Sequence, residues 1–354
     1  MTALLTVERY LPPFRYSQEE VTRHVAAWLE GDGAASRLLS VYSAAGVRCR
    51  GSVVPIEEVF HPRDFETQND RYREIACRAA TDLSRRALER AEIAPSEVGL
   101  VVSVSCTGFM IPAVDAYVAD ALRMGPRLVR LPITESGCAG GVVALARARD
   151  YLCRHPEQAA LVLGIEFASL TFQRWDRSAT NVVSTAIFGD GAAAVVLVGR
   201  QHPRARAGLA KVVDSESLFF RGTTHLMGFR LRNQGLQIVL DRELTRFVRR
   251  EVGRAVGCFL GARGLQREDV TRWILHPGGR RIIQAMSECL GLAPGDLAPT
   301  EKVLAEHGNM SSVTVLFVLD EILRAGGVRC GERGVLGAFG PGFGAEFALL
   351  EFAC

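Results

Sequence analysis

Apolar residues recur at three- and four-residue spacing through "RYREIACRAATDLSRRALERAEI", residues 71–93, which predicts an amphipathic helix. "VGLVVSVSC" (98–106) is continuously apolar and rich in β-branched residues, the pattern of a strand buried on both faces. "QAALVLGIEFAS" (158–169) and "GAAAVVLVG" (191–199) read the same way. "LVRLPI" (128–133) predicts a strand and "VVALARARDYL" (142–152) a helix. Helical and strand patterns therefore alternate along the chain. "GRQHPRARAG" (199–208) is polar, with proline and glycine, and is the best candidate for a linker.

The order of these elements repeats. "RALERAEIAPSEVGLVVSVSCTG" resembles "FLGARGLQREDVTRWILHPGG": a helix, a short polar turn with an acidic residue, then a buried strand. About thirty residues after Cys106 comes "GCAGGVVALARARDYL", and about thirty after His276 comes "GNMSSVTVLFVLDEIL". Each is a glycine followed by a helix with a small, polar first turn. "FGDGAAAVVLV" and "FGPGFGAEFALLEF" then close each series with a glycine turn and a strand. Three paired features in one order predict two similar α/β halves, residues 1–205 and 206–354, packed pseudo-symmetrically.

The chain has 354 residues, enough for two such halves. Hydrophobic residues make up 48% and charged residues 23%, the balance of a globular protein. A net charge of +3 is too small to argue for nucleic acid. Only Lys211 and Lys302 are lysine among the 42 basic residues, a skew that we read as GC-rich, bacterial genome composition. The nine cysteines lie far apart, with no C-x-x-C pair and no zinc-like Cys/His spacing, so free thiols are expected. The first residues show neither a charged n-region nor a long apolar segment, and no run of eighteen apolar residues occurs. We expect a cytoplasmic protein without a membrane span.

Three residues carry candidate chemistry. Cys138 falls between the strand and the helix of residues 128–152, at or near a helix N-terminus. Unpaired N–H groups and the positive end of the helix dipole favour thiolate there, and thiolate is the nucleophile. Gly137, Gly140 and Gly141 would permit a sharp turn and close approach of a substrate. The alternative is a small buried core thiol. His276 precedes Pro-Gly-Gly at the end of a strand, where the following proline favours extended backbone; the alternative is a histidine bonded within a turn. Asn309, at the next glycine–helix junction, is either an N-cap or a second functional group. By the repeat, Asn309 stands close to the place of Cys138, and His276 corresponds to Cys106. A cysteine can hold an acyl group as a thioester. Asn and His can both donate hydrogen bonds to a thioester carbonyl and stabilise an enolate formed by loss of carbon dioxide. A papain-like hydrolase uses the same residue types, with Asn orienting His. "FGPGFGAE" lacks the G-x-G-x-x-G spacing and is not followed by a helix, and no P-loop, HExxH or G-x-S-x-G occurs.

Five motifs together, "GCAGG" (Cys138), "FGDGAAA" (Phe188), "WILHPGG" (His276), "HGNMSS" (Asn309) and the terminal "GVLGAFGPGFGAE", resemble the type III polyketide synthases, the chalcone-synthase-like family. They occur in family order and spacing, and the resemblance runs from about residue 70 to the end. It implies a thiolase-like αβαβα five-layered fold, a homodimer and repeated decarboxylative condensation of malonyl-CoA onto an acyl-CoA starter. It implies no metal or organic cofactor. Cys138 would be the nucleophile, and His276 and Asn309 would bind the thioester carbonyl. An imidazolium–thiolate pair between His276 and Cys138 would lower the thiol pKa. Phe188 matches a gatekeeper between the CoA tunnel and the cavity. Cys106, Thr171 and Ser311 match cavity-lining positions. Ile111 matches a residue reaching toward a partner subunit's cavity, and Ile111–Pro112 is a candidate cis bond.

The sequence also departs from the plant members. Their second gatekeeper phenylalanine falls on Ile238, and a glycine that opens their cavity falls on Phe229. Core packing is the alternative for all three of Phe188, Ile238 and Phe229. Arg37 matches one basic CoA-binding position while its neighbours do not, so Arg48 or Arg50 is expected to meet the phosphates instead. The expected reaction extends a CoA-linked starter with malonyl units and cyclises the chain to a phenol, pyrone or naphthol. Two alternatives are a single-condensation enzyme like β-ketoacyl-ACP synthase III, and a non-catalytic acyl-binding or dimerisation partner.

Overall fold

The computed structural model describes residues 2–353. Its strands are β1 (Thr2–Tyr10), β2 (Phe14–Ser17), β3 (Cys49–Ser52), β4 (Val98–Val104), β5 (Val129–Ile133), β6 (Ala159–Phe167) and β7 (Asp190–Val198). They continue with β8 (Ala210–Phe219), β9 (Met227–Arg232), β10 (Gly235–Leu240), β11 (Arg272–Leu275), β12 (Arg333–Gly340) and β13 (Gly344–Phe352). Nine of them form one continuous sheet in the order β11-β12-β13-β8-β1-β7-β6-β4-β5.

That order contains the repeat. β1-β7-β6-β4 in the first half matches β8-β13-β12-β11 in the second. Pair by pair the directions also agree: β4 with β6 and β11 with β12 run parallel, while β6 with β7 and β12 with β13 run antiparallel. The half-sheets join edge to edge where Thr2, Ala3 and Leu4 meet Val212, Lys211 and Ala210. β5 has no counterpart. It lies at the open edge and is correspondingly less apolar and more exposed than its neighbours.

Side-chain alternation along the strands builds the layers. Leu100, Val102 and Val104 enter one cluster with Leu336, Ala338, Leu350 and residues of helices Gly140–Arg154 and Thr314–Ala325. These two helices thus lie between the half-sheets. The alternate residues Val101, Leu161, Leu163, Ile165 and Val196 face helix Phe65–Ala91 instead. Trp273, Leu275, Val335 and Phe347 face helices Leu244–Gly261 and Arg280–Leu290. The result is helices, sheet, helices, sheet, helices: five layers from two related halves.

Helix Phe65–Ala91 begins earlier than the apolar periodicity indicates, because Asp64 caps it by accepting the Thr67 N–H at 2.8 Å. Ile111–Pro112 is cis. The expectation of free thiols fits seven cysteines and fails at Cys330, which is disulfide-bonded. The bonded cysteine follows the Gly326–Gly327 turn beyond the last helix, outside the three apolar clusters.

Candidate active site

Helix Gly140–Arg154 is preceded by a single 3-10 turn, Gly137–Ala139, and helix Thr314–Ala325 by another, Ser311–Val313. Cys138 and Ser312 are the central residues of these turns, so Ser312 is its strict pseudo-equivalent and Asn309 lies three residues before it. The two helix starts pack on each other. A Cβ at Gly141 would stand 2.3 Å from the Ser312 carbonyl oxygen, and one at Gly140 would stand 2.3 Å from Val104 Cγ1. Gly137, at φ +49°, lies under Pro341. Gly140 and Gly141 therefore serve close packing within the fold, while Gly137 turns sharply and lines the cavity beside Cys138.

Cys138 is 9% exposed and opens onto a cavity of about 1210 Å³, mouth included. Cys106, Thr171, Phe188, Phe229, Ile238, Ser311 and Arg50 line the same cavity. Phe229 and Ile238 are cross-strand partners in the β9–β10 hairpin, so the two positions form one wall together. Ser311 has φ +49°, unusual for a residue with a Cβ, and such strain persists only where surrounding structure imposes it. Here it sets the Ser311 hydroxyl between two thiols, 3.3 Å from Cys106 Sγ and 3.6 Å from Cys138 Sγ.

Asn309 and His276 lie behind this wall and contribute no surface to the cavity. Asn309 is tied to it closely. Its Oδ1 accepts the Ser311 N–H at 2.8 Å and the Thr314 hydroxyl at 3.3 Å, which is the capping role open to asparagine. Its Nδ2 donates to Gly278 O at 3.4 Å, in the loop that follows His276. Its main chain pairs with Ile187 and Gly189 on either side of Phe188. His276 follows β11, its N–H held by Gly337 O at 2.9 Å. Its imidazole is 3% exposed, and neither ring nitrogen has a hydrogen-bond partner. A buried polar group left unpaired is rare enough to require a reason.

Burial outweighs the activation expected of Cys138. It pushes the thiol up to about 12, the Glu166 carboxylate acts in the same direction, and the Ser311 hydroxyl opposes both. A backbone N–H at Cys138 itself opposes burial least. Burial also holds His276 down at about 3. Burial thus works against charge on both sulfur and imidazole, and no hydrogen bond joins the two in this structure.

Glu166 was missed by the sequence reading. It lies in β6, where all nine residues are buried. The Cys106 N–H, the Thr107 hydroxyl and the Ser312 hydroxyl all donate to its carboxylate. A lone charged residue inside an apolar strand was the available signal. Burial raises its pKa from 4.5 to about 7. The folded state thus keeps a proton that the unfolded chain releases above about 4.5. Stability from this group is complete below that pH and is lost as pH rises through about 7. Thermal melts from pH 5 to 8 should show the midpoint falling, and Glu166→Gln should fall less steeply. Parallel curves would contradict this.

Arg50 is not free to meet a phosphate. It is 6% exposed, and its Nη1 donates to Thr185 O at 2.6 Å and Phe188 O at 2.7 Å. Its Nη2 donates to Ala186 O at 2.9 Å and to Gln18 Oε1. A buried guanidinium survives only with such partners, and here they fix the backbone that carries Phe188. Arg50→Met should lose about 3–5 kcal/mol of stability, the usual cost of breaking such a buried site, measured by urea unfolding. A loss under about 1 kcal/mol would remove that role. Arg37 and Arg48 are exposed and lie outside the cavity, and Arg48 pairs with Glu306 at 3.3 Å. Ile111 is fully exposed on the single chain and also outside the cavity.

Among the described residues no cluster of His, Cys, Asp and Glu could hold a metal ion. Nor is any helix among the described residues long and apolar enough to cross a membrane.

Residues 64–201 match the family model for the N-terminal domain of chalcone and stilbene synthases, and residues 211–352 match that for the C-terminal domain. The chain is 37% identical to a 1,3,6,8-tetrahydroxynaphthalene synthase of Streptomyces peucetius subsp. caesius, over 99% of this chain and 93% of the relative. It is 33% identical to a putative chalcone synthase of Bacillus subtilis (strain 168), over 99% of both. The crystal structure of 1,3,6,8-tetrahydroxynaphthalene synthase from Streptomyces coelicolor A3(2), a bacterial type III polyketide synthase, superposes with a TM-score of 0.94. That match has 29% identity and covers 99% of each chain. With both family models matched in order and these relatives along its whole length, the chain belongs to the chalcone and stilbene synthase family of type III polyketide synthases.

Proposed function

We propose that the chain loads an acyl starter from CoA onto Cys138, extends it with malonyl-CoA, and releases a cyclised phenol, pyrone or naphthol. The observation that carries this is Cys138 at a helix head, facing a largely apolar cavity open to solvent and joined through Ser311 to the Asn309 loop. The thiol gives its proton to His276 as it attacks the starter thioester. The acyl C–S bond to CoA breaks, a new one to Cys138 forms, and the departing CoA sulfur takes the proton from His276 and leaves as a thiol.

His276 and Asn309 then donate hydrogen bonds to the carbonyl of malonyl-CoA. The unpaired imidazole and the long Nδ2 bond to Gly278 leave both groups available for that role. Loss of carbon dioxide leaves its bonding electrons on the enolate, whose negative oxygen these donors stabilise. The enolate carbon attacks the Cys138 thioester and displaces the thiolate, leaving a chain two carbons longer on CoA. Phe188 gates the passage between CoA and the cavity. Cys106, Thr171, Ser311, Phe229 and Ile238 shape the space in which the chain folds. Ile111 completes the wall of a second subunit in a homodimer, residues 1–205 and 206–354 form the two halves of each subunit, and the enzyme works in the cytoplasm without a cofactor.

The test is mass spectrometry of products from malonyl-CoA alone and with a panel of acyl-CoA starters. Products carrying several malonyl units are expected; a lone β-ketoacyl product would overturn the reading. Phe229→Gly should enlarge the cavity and lengthen the products, and an unchanged profile would remove Phe229 from the cavity wall.

A further inference from the structure

The amide of an asparagine has an oxygen end and a nitrogen end of nearly the same shape, and only the nitrogen end can donate to a thioester oxygen. Turned end for end, Asn309 would set a carbonyl oxygen against the developing enolate and oppose it. Decarboxylation at this site therefore needs a device that fixes which end faces inward. The nitrogen end does not supply it, since its bond to Gly278 O is long at 3.4 Å. The oxygen end does. Oδ1 accepts the Ser311 N–H at 2.8 Å and the Thr314 hydroxyl at 3.3 Å.

Thr314 is the first residue of helix Thr314–Ala325, fully buried in a run that is otherwise apolar from Val313 to Leu319. It does not border the cavity of Cys138, so it has no surface to offer a substrate there. Its oxygen instead meets three consecutive residues of the turn before the helix. It accepts the Met310 N–H at 2.8 Å, and it stands 3.0 Å from Ser311 O and 3.3 Å from Asn309 Oδ1. The hydroxyl has a single proton to give. A helical threonine commonly gives it to the carbonyl three or four residues back, which here is Ser311 O. That carbonyl already accepts the Thr314 N–H, so the hydroxyl proton goes to Oδ1. One side chain thus holds the Met310 N–H before Ser311, the residue at φ +49°, and the amide oxygen of Asn309. Valine has nearly the same shape as threonine and can make none of these bonds.

We propose that Thr314 is a positioning residue for Asn309: its hydroxyl bonds Oδ1 and so keeps Nδ2 facing the thioester carbonyl. This rests on the reading of Asn309 as a donor to malonyl-CoA. The test measures kcat and KM for decarboxylation of malonyl-CoA, and starter loading on Cys138 by intact-protein mass spectrometry. In T314V the decarboxylation kcat should fall by about tenfold or more, short of the loss in N309A, because a misaimed donor keeps part of its effect. KM and the loading rate should stay within about twofold of the wild type. T314S keeps the hydroxyl and should return kcat to within about threefold of the wild type. The decisive variant is N309A/T314V, which should be no slower than N309A alone, since Thr314 acts through the amide. Should T314V fail to fold, T314A carries the same expectations. A T314V kcat at the wild-type level beside a slow N309A would overturn the proposal, and so would a double variant slowed by the product of the two single effects. Wild-type decarboxylation in N309A would overturn the reading of Asn309, and the proposal with it.

Discussion

Cys138→Ala should abolish both acyl loading and condensation, with turnover at least about 10⁴-fold below the wild type, since the covalent intermediate has no other acceptor. The fold should survive. The side chain is already 9% exposed at the cavity, and losing one small group there costs on the order of 1 kcal/mol. Intact-protein mass spectrometry after exposure to an acyl-CoA should show the acyl adduct on the wild type and none on the variant. Cys106 makes the control informative. Its thiol is also buried and bonded to Ser311, but Glu166 lies beside it and burial raises its pKa well above the ordinary value. Cys106→Ala should therefore still load. Loading in Cys138→Ala at the wild-type level would move the nucleophile elsewhere.

Asn309→Ala should separate the two halves of the reaction. Starter loading is retained, while decarboxylation of malonyl-CoA falls by about 10²–10³-fold, the effect of removing one donor to a developing oxyanion. The alanine also removes the acceptor for Ser311 N–H and Thr314 Oγ1, so a packing effect must be set apart. Asn309→Asp supplies that control, because it keeps Oδ1 and replaces the amide donor with a second carboxylate oxygen, whose negative charge also opposes the oxyanion. It should be as slow in decarboxylation as the alanine variant, with Ser311 still in place. Recovery of decarboxylation in Asn309→Asp would make Asn309 a positioning residue. Equal loss of loading and decarboxylation in both variants would contradict the division of labour.

The fold was legible because both periodicities were strong. β4, β6 and β7 are buried along their whole length, so their apolar runs needed no tertiary knowledge. The ordered repeat foretold two similar α/β halves, and the strand orders β1-β7-β6-β4 and β8-β13-β12-β11 match accordingly. Cys138 was legible for the same reason, standing between a strand pattern and a helix pattern. What escaped depends on partners from distant parts of the chain. Nothing local tells Arg50 from Arg48, yet one is walled in by carbonyls of residues 185–188 and the other is in water. Gly140 and Gly141 look like a substrate loop until Ser312 and Val104 are placed against them. A helix start before Cys138 is visible in sequence, whereas the depth of burial that works against its thiolate is not. Glu166 could have been found, as the single acidic residue of an otherwise apolar strand.

All of this depends on one sulfur atom carrying the growing chain. The direct measurement is to incubate the wild type with an acyl-CoA, digest at low pH, and map the adduct by peptide mass spectrometry. A thioester on the peptide containing Cys138, lost on addition of malonyl-CoA as extended product appears, is the result expected. An adduct on another residue, or one on Cys138 that malonyl-CoA never discharges, would contradict the account.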